Sequence, residues 1–249
     1  MITIKSEKEI DMMRDAGKIV RDVLLLMEES VKEGVTTFEL NEIAHKFILK
    51  QNAIPSFLNY NGYPASICAS INEEVVHGIP SKKRVIKSGD IISIDVGAVY
   101  KGWQGDAART FTVGNVSEEV KKLVNVTRES FFKGVETIKE GTRLGDLGYA
   151  IQSYAESFGY GVVRDLVGHG IGREMHEAPE VPNYGMPGRG FRLKAGMTIA
   201  IEPMITLGTW RVFQDEKDGW TIRTMDLKPA AHYENTIAVT KDGFEILTL

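Results

Sequence analysis

Four acidic residues stand in segments of the sequence that read as apolar strands. Asp95 lies in GDIISIDVG (89–97) and Glu202 follows the apolar run TIAI (198–201), while GDAARTFTV (105–113) contains Asp106 and HYENTIAVT (232–240) contains Glu234. A carboxylate buried in an apolar strand costs several kcal/mol unless a partner charge compensates it. No basic residue adjoins Asp95 in the local sequence. Its partner must therefore come from elsewhere.

The charge of these four acids limits how they can be accommodated together. Like charges raise one another's pKa, so four convergent carboxylates cannot all ionise in a low-dielectric pocket without cations. Shared protons, arginine partners and two divalent metal ions are the physical solutions. Dinuclear sites with bridging carboxylates hold their metals roughly 3.5–4 Å apart and supply +4 against about −4. We favour a metal ion as the partner of Asp95.

Histidine is the nitrogen ligand that would complete such a site, and the chain has five. His45 lies on a helical segment and is interpreted as solvent-facing. His232 precedes Glu234 by two positions, so strand alternation allows both on one face, but we interpret His232 as structural. The other three lie in loops punctuated by glycine and proline, where chemistry is often placed: His77, His169 and His176.

The glycines around His169 do not indicate a nucleotide site. GHGIG (168–172) lacks the GxGxxG spacing and the following helix of a dinucleotide loop. We predict instead that its glycines let the backbone bring His169 close to the metals. HExxH is absent from the sequence, which excludes a thermolysin-type zinc site. Oxygen ligands with one imidazole suit Mn, Fe, Co or Zn and do not choose among them.

An internal repeat explains how the acids would meet. Gly34 corresponds to Gly141 and Asp95 to Glu202, and the difference in residue number is the same for both pairs. This constant difference is called the repeat offset below. A shared offset across helical and strand segments indicates two related halves, about 1–114 and 115–249. A pseudo-twofold axis between the halves would bring the acids together.

The second half departs from the first by an excursion. Asp106 follows Asp95 closely in the first half, whereas a much longer stretch separates Glu202 from Glu234 in the second. An additional segment at roughly 208–227, which includes Trp210 and Trp220, accounts for the difference.

Each half reads as two helices followed by strands. Capping boxes at 6–9 and 36–39 open two helices with apolar stripes at helical spacing. The turn-rich NYNGYPAS (59–66) leads into short strands through about residue 113. The pattern resumes at Ser117, with one helix to roughly Glu140 and a second that carries Leu144 through Phe158. The pattern predicts an α+β fold.

The composition is that of an ordinary globular chain. Its 249 residues are 43% hydrophobic and 26% charged, and the net charge of −4 gives no case for nucleic-acid binding. The single cysteine excludes a disulfide framework and fits a reducing cytosol. The amino terminus lacks a secretory signal, and the longest strongly apolar stretch, VLLLM (23–27), is too short for a membrane span. A cytoplasmic location is expected.

Motifs along essentially the whole chain resemble those of the type I methionine aminopeptidases. They are SEKEIDMMRDAGKIV, NGYPASICASINEEVVHGIP, IDVGAVYKGWQGDAARTF, GHGIGREMHEAP, IEPM and HYENTIAVT. The resemblance implies the duplicated pita-bread fold, in which pseudo-twofold halves form a curved, mainly antiparallel sheet covered by helices. It implies one catalytic domain over 1–249. It also implies removal of the initiator methionine, by a metal-activated water, from nascent proteins and peptides with a small second residue.

The resemblance assigns the metal ligands position by position. Asp95 would chelate one ion, Asp106 and Glu234 would bridge the pair, and His169 and Glu202 would bind the other. The implied cofactors are two divalent metal ions. Matching five ligands in order is a far more specific signal than any single short motif.

Further positions match catalytic residues of the family. Glu202 is implied as the proton acceptor and His176 as the group that stabilises the developing oxyanion. His77 matches the histidine that contacts the substrate near the scissile amide. The alternative for His77 and His176 is that they stabilise loops by hydrogen bonding.

The implied methionine pocket contains aromatic and sulfur groups, which favour a thioether. Its members are Tyr60, Tyr63, Cys68 and Trp220, with His77 at the edge. The alternative is an aromatic turn packed on the core. Two positions depart from the bacterial pattern: Phe57 stands where a cysteine is common, and Met175 where phenylalanine is expected. Both change the expected shape of the pocket.

Related enzymes of the same fold fit the sequence less well. Prolidase and aminopeptidase P normally carry an additional amino-terminal domain, whereas here the first helix begins within the first ten positions. A type II enzyme would carry an insertion that the repeat excludes before Glu202. A non-catalytic binding relative would typically have lost ligands, and all five positions are filled. The expected partners are nascent polypeptide amino termini and the ribosome, with no membrane or specific nucleic-acid contact, and the expected state is a monomer.

Overall fold

The computed structural model of the chain describes residues 2–249. Within that range the chain forms four α-helices: α1 Glu7–Ser30, α2 Thr37–Lys50, α3 Glu118–Val135 and α4 Leu144–Glu156. A short 3₁₀ helix spans Tyr60–Gly62. The strands are β1 Ile54–Pro55, β2 Ile67–Ile71, β3 Glu74–Val76, β4 Ile91–Tyr100, β5 Trp103–Thr112, β6 Gly161–Val162, β7 Gly168–Gly170, β8 Glu177–Val181, β9 Thr198–Ile201, β10 Met204–Thr206, β11 Val212–Gln214, β12 Ile222–Thr224, β13 Ala230–His232, β14 Asn235–Val239 and β15 Phe244–Ile246.

The strands pair antiparallel throughout the described residues. One sheet is built on β4, which pairs with β1, β2 and β5, and a second has the order β15-β14-β9-β7-β8. Two three-stranded sheets, β13-β10-β6 and β11-β12-β3, complete the set. The mixture of helices and antiparallel strands is the α+β class expected from the sequence.

Equivalent hydrogen bonds recur at the repeat offset. The amide of Gly34 donates to the carbonyl of Ile86 at 2.9 Å, and that of Gly141 donates to the carbonyl of Leu193, also at 2.9 Å. Both glycines have φ near +90°, which a residue with a side chain adopts only with strain. Donors and acceptors are thus displaced by the same offset, and each turn into a second helix is closed in the same way.

The two halves meet at the strands that carry the acids. The amide of Glu234 donates to the carbonyl of Ala108 at 3.0 Å, which joins the second half to β5 of the first. The Thr236 hydroxyl accepts from the amide of Asp106 at 3.0 Å and donates to its carbonyl at 2.9 Å. Backbone bonds across the interface therefore fix Asp106 and Glu234 relative to each other.

Helices cover one side of the strands and hold them close. Nine residues of α1 are buried, and this helix packs on β4 and β5. At the crossing, a Cβ on Gly105 would lie 2.9 Å from the amide nitrogen of Gly17, so only glycine permits this approach. Gly105 immediately precedes Asp106 in β5, and so its contact with α1 helps to fix the position of the Asp106 backbone.

Helix boundaries differ from the sequence-based predictions at one end. Both capping boxes are present at α1 and α2, as predicted. The third helix ends at Val135 and not near Glu140, where the amides of Thr137 and Ile138 donate to the carbonyls three residues back at 3.0 and 2.9 Å and the Thr137 hydroxyl donates to the carbonyl of Gly134 at 2.7 Å. The fourth helix ends at Glu156, two positions before Phe158.

The excursion of the second half forms a hairpin of β11 and β12. Its second strand pairs with β3 of the first half. Arg223 in β12 bonds Glu74 at 3.0 Å and Glu73 at 2.5 Å. The hairpin is thus fastened across the molecule. Among the helices of residues 2–249, none has the length and apolar content that crossing a membrane requires.

Candidate active site

The structure brings the five proposed metal ligands together at the junction of the halves. Asp95 lies on β4, Asp106 on β5 and His169 on β7, whereas Glu202 follows β9 and Glu234 precedes β14. Ligand atoms of Asp106, His169 and Glu234 lie within 4.8 Å of one another. Glu202 Oε1 lies 3.7 Å from His169 Nε2. Asp95 lines the same cavity as the other four.

The carboxylates of this cluster resist ionisation in the absence of a cation. Desolvation raises the pKa of Asp95 to about 7. It also raises the pKa values of Asp106, Glu202 and Glu234 well above their usual range, and neighbouring carboxylates add to the effect in all three. Asp106 and Glu234 are only 4% and 2% exposed. A nearby cation is what allows such groups to be charged at neutral pH.

The orientation of His169 gives a more specific test. Its Nδ1–H donates to the carbonyl of Gly170 at 2.9 Å, and desolvation lowers its pKa to about 4. The neutral ring therefore presents the lone pair of Nε2 to Asp106 Oδ2 and to Glu202 Oε1, each 3.7 Å away. An electron pair that faces carboxylate oxygens is repulsive unless a cation lies between them.

Unpaired oxygens at the same place fit a metal. Within residues 2–249, no hydrogen-bond partner reaches Oδ1 of Asp95, Oδ1 of Asp106 or Oε1 of Glu234. Buried polar atoms without partners are rare and need a reason. Carboxylate oxygens and an imidazole nitrogen are a donor set for Mn, Fe, Co or Zn. The residues present therefore fit divalent metal binding.

The glycines beside His169 act through strand packing. A Cβ on Gly168 would lie 2.4 Å from the carbonyl oxygen of Ala200, and one on Gly170 would lie 2.3 Å from that of Ala178. Only glycine lets β7 fit between its neighbours β8 and β9. The prediction that these glycines serve the placement of His169 has this physical basis.

One ring nitrogen of His176 is hydrogen-bonded to a neighbouring side chain, and the other is not. Its Nδ1 lies 2.7 Å from the Tyr60 hydroxyl, and its ring centroid is 4.2 Å from that of His169. Desolvation lowers the pKa of His176. When the Tyr60 hydroxyl donates to Nδ1, the proton of the neutral imidazole resides on Nε2 and is available to an acceptor in the cavity.

His77 has an unusual backbone at the cavity wall. Its φ of 61° places it in the left-handed region, which is uncommon for a residue with a side chain and clusters at functional sites. Desolvation lowers its pKa to about 4, and its ring lies edge-on to Trp220 with centroids 6.5 Å apart. A neutral imidazole is thus held at the pocket edge.

The cavity of about 240 Å³ that the carboxylates line also has an apolar wall. Tyr63 and Trp220 pack edge-to-face with centroids 5.1 Å apart, and Cys68 lies with them in one buried cluster. Desolvation raises the pKa of Cys68 well above its ordinary value, so the thiol stays neutral. The predicted pocket residues that line this cavity are Phe57, Tyr60, Tyr63, Cys68, His77 and Trp220.

Met175 lies behind the pocket wall. It is 2% exposed, and a Cβ on Gly97 would meet both its terminal methyl and the ring of Phe57. It is not among the described residues that line the cavity. Its influence on pocket shape would pass through Phe57 and stays a prediction.

His45 differs from its interpretation in the sequence, and His232, interpreted as structural, lies close to two of the acids. His45 is half-buried and its Nδ1 lies 2.8 Å from the Ser66 hydroxyl, so it does not simply face solvent. His232 Nε2 lies 3.8 Å from Glu202 Oε2 and 3.9 Å from Glu234 Oε2. Glu234 lies between β13 and β14, so strand alternation does not account for the proximity of His232 to these acids.

Asn61 also lines the cavity and was not predicted. It has φ of 49° inside the 3₁₀ turn between Tyr60 and Tyr63. The NYNGYP turn was visible in the sequence, but no pattern indicated which of its asparagines faces inward.

Known proteins share this architecture along the whole chain. A sequence profile of metallopeptidase family M24 matches residues 11–241. The methionine aminopeptidase of Clostridium acetobutylicum is 61% identical over 249 residues, which cover all of this chain and 99% of that protein. A crystal structure of methionine aminopeptidase from Rickettsia prowazekii superposes with a TM-score of 0.98 at 49% identity and full coverage of both chains.

The related Xaa-Pro enzymes are more distant in sequence and structure. The Xaa-Pro dipeptidase of Bacillus anthracis superposes with a TM-score of 0.80 at 27% identity, and the match covers 98% of this chain but 61% of that one. The likenesses confirm the pita-bread fold. Together with the whole-length identity, they show that the chain belongs to metallopeptidase family M24 and, within it, to the methionine aminopeptidases.

Proposed function

We propose that this protein removes the amino-terminal methionine from polypeptides by metal-dependent hydrolysis. The observation that carries the proposal is the junction of two unlike surfaces. The lone pair of His169 Nε2 faces two carboxylate oxygens at 3.7 Å, and the cavity that this polar cluster lines has an apolar wall that includes Cys68 and Trp220. The polar cluster suits hydrolysis, and the cavity suits a thioether side chain.

Two divalent metal ions are the proposed cofactors. Asp95 would hold one ion, Asp106 and Glu234 would bridge both, and His169 and Glu202 would hold the other. When bound, such ions lower the pKa of a water molecule and polarise a carbonyl. The four carboxylates and one neutral imidazole balance the charge of two M²⁺ ions, which supports this number.

The chain's own residues would then handle charge and protons. The Glu202 carboxylate accepts the proton of the attacking water. The Nε2–H of His176 donates to the oxygen of the scissile carbonyl as negative charge develops there, while Tyr60 fixes the ring through Nδ1. Neutral His77 contacts the substrate near the scissile amide.

Pocket shape sets the proposed specificity. The cavity holds an unbranched thioether between Tyr63, Cys68 and Trp220. Loops that carry His77 and His176 crowd the second residue, so glycine, alanine and serine are favoured there. A hydrophobic pocket discriminates weakly by size, at about 1–3 kcal/mol per methylene, so norleucine is a tolerated mimic of methionine.

A peptide panel that varies positions one and two separately tests this function. We expect cleavage of Met-Gly, Met-Ala and Met-Ser peptides and little cleavage when the second residue is Leu, Lys or Phe. Efficient release of first-position Leu or Phe would indicate a general aminopeptidase. Preference for proline at position two with any first residue would instead align the activity with the Xaa-Pro enzymes.

The cellular setting is proposed on the same basis. The amino termini of nascent polypeptides are the proposed partners, with action in the cytoplasm at the ribosome by a monomer that forms one catalytic domain. Co-sedimentation with translating ribosomes and sedimentation equilibrium of the pure protein test these points. Absence from the ribosomal fraction would limit the proposal to released peptides.

A further inference from the structure

We infer that a second cavity, on the helix side of the strands, binds a small carboxylate that carries an apolar body. This helix-side cavity lies between α1 and α3, against β5, and has a volume of about 350 Å³. Arg109 lines it three positions after Asp106, and odd spacing along a strand places the two side chains on opposite faces. The helix-side cavity therefore lies on the opposite face of β5 from the Asp106 side chain. His232 also lines it, and its Nε2 lies 3.8 Å from Glu202 Oε2, so the cavity borders the candidate active site.

The charge around the helix-side cavity is positive and poorly compensated. Its lining includes Arg21, Arg109 and Arg128, against one acid, Glu28, among the described lining residues. Of the three arginines, only Arg21 has a carboxylate partner among residues 2–249, Asp22, at 2.7 Å. Three guanidinium groups that share one cleft repel one another, so an anion that binds there gains from all three.

Arg109 is the inner cation of the three. It is half-buried, and its hydrogen bonds go to neutral oxygens: Nη1 to the carbonyls of Ala108 and Glu234, and Nη2 to Asn235 Oδ1 at 2.7 Å. Its guanidinium carbon lies 4.3 Å from the ring centre of Tyr233, which also lines the cavity. Glu234 favours the charged form of Arg109 electrostatically but makes no ion pair with it within residues 2–249, and a ligand carboxylate would give this partly buried cation a direct partner.

Arg128 is the outer cation. Its guanidinium carbon lies 5.1 Å from the ring centre of Phe132, and no carboxylate among the described residues pairs with it. Arginine presents its donors in a planar fork that matches a carboxylate. Because the side chain is exposed, it is free to close over a ligand held by Arg109.

The remaining wall is partly polar, with Thr110, Asn125, His232 and Thr248, and partly apolar, and the apolar part sets the class of ligand. Leu24 of α1, Phe111 of β5 and Val124 of α3 line the helix-side cavity. Leu24 is 5% exposed, whereas Phe111 and Val124 are half-buried. A carboxylate with a short aliphatic chain would pair with the arginines and cover the apolar side chains, whereas a fully polar anion would leave the apolar side chains in contact with water. Arg109 also donates a hydrogen bond to the carbonyl of Glu234, so a ligand held by Arg109 is linked through it to the backbone of a proposed metal ligand.

Isothermal titration calorimetry of the metal-loaded protein with hexanoate tests the inference. We expect a binding event that Arg128→Gln weakens about tenfold or more, the scale of losing a hydrogen bond to a charged group. The matched control is Arg189→Gln, an exposed arginine in the second half, which should change nothing. Binding of hexanoate to the metals themselves is unaffected by either change and is measured separately as inhibition of peptide hydrolysis.

Two further titrations test whether binding depends on the volume of the cavity and on the charge of the ligand. Val124→Trp fills the helix-side cavity without a change of charge and should also abolish the Arg128-dependent event, while both variants keep the wild-type unfolding temperature. Hexanol, which lacks the carboxylate, should bind at least tenfold more weakly than hexanoate. If Arg128→Gln leaves the titration unchanged, or if hexanol binds as well as hexanoate, the inference is wrong. Its failure would leave the proposed peptidase activity untouched.

Discussion

Each half of the chain carries two acids of the cluster, but the strands that position them differ greatly in length. In the first half Asp95 and Asp106 lie on β4 and β5, two ten-residue strands paired along their whole length. In the second half Glu202 and Glu234 lie at the ends of short strands, and the β11–β12 hairpin stands between them. The duplicated part supplies the carboxylate cluster, whereas residues without a counterpart in the other half, among them His169, His176 and Trp220, line the same cavity.

The histidines show this division most directly. At the repeat offset His169 corresponds to Gly62 and His176 to Ala69, so neither imidazole has a counterpart in the first half. Trp220 lies in the excursion, which the first half lacks altogether. A symmetric cluster of four acids would bind cations without distinguishing one side of the cluster from the other. Added groups on one side give the direction that a reaction needs.

Removal of either bridging acid should have the largest effect. Asp106→Asn and Glu234→Gln should each cost more than the roughly 10²–10³ in kcat that follows loss of one oxyanion donor, because each acid serves both ions. Bound metal, measured by atomic emission, should fall in both variants. Asp242→Asn, which is exposed, is the matched control. If one of the two variants kept its metal and activity, the claim that Asp106 and Glu234 have equivalent roles would be wrong.

Removal of an asymmetric histidine should separate catalysis from metal binding. His176→Ala is expected to lower kcat by roughly 10²–10³ while metal content stays at the wild-type level. The comparison of kcat with bound metal in one preparation decides the matter. A parallel loss of both would show that His176 is a ligand and that the asymmetry lies elsewhere.

The excursion should affect substrate binding more than chemistry. Trp220→Ala removes an aromatic wall of the cavity, and a thioether contact with an aromatic ring is worth about 0.3–1.5 kcal/mol. We therefore expect kcat/KM for methionyl peptides to fall up to about tenfold, mainly through KM. Trp210→Ala, elsewhere in the same excursion, is the control. An equal effect of the two changes would argue for a merely structural hairpin.

The smallest expected effect is on stability, and both halves share it. The raised pKa values mean that the folded metal-free protein binds protons that the unfolded chain has released. The free energy that this proton binding contributes to folding is lost as pH rises through the folded pKa values, about 7 for Asp95 and raised well above the usual range for the other three acids. The histidines with lowered pKa oppose this trend only below a pH of about 6.5, where the unfolded rings take up protons.

As pH rises from about 6.5 through 7 the metal-free protein should therefore fall in Tm, on a scale of roughly 2–4 °C per kcal/mol for a chain of this size. Scanning calorimetry with and without divalent metal measures the difference. Added metal should remove the trend. A metal-free Tm that rises over this interval would contradict the electrostatic description of the cluster.

The acids and their convergence were predictable because they violate a local rule. Asp95 within an isoleucine-rich strand is unfavourable alone, so a partner was required, and the repeat pointed to Glu202. Helix starts were predictable from Ser6 and Thr36, whose capping boxes depend only on neighbouring residues.

Features that depend on distant partners were not predictable. The pairing of β12 with β3 and the packing of Met175 behind Phe57 join residues far apart in sequence, and no local pattern encodes them. The helix-side cavity likewise needs α1, α3 and β5 in place before Arg128 and Arg109 meet.

Metal titration of chelator-treated protein tests the central claim most directly. Mn²⁺ is added stepwise while bound metal and hydrolysis of a Met-Ala-Ser peptide are measured on the same samples. We predict no hydrolysis at the start, recovery as ions bind, and saturation at two ions per chain, with an Asp106→Asn sample inactive throughout. Full hydrolysis by a rigorously metal-free preparation would contradict the dinuclear mechanism.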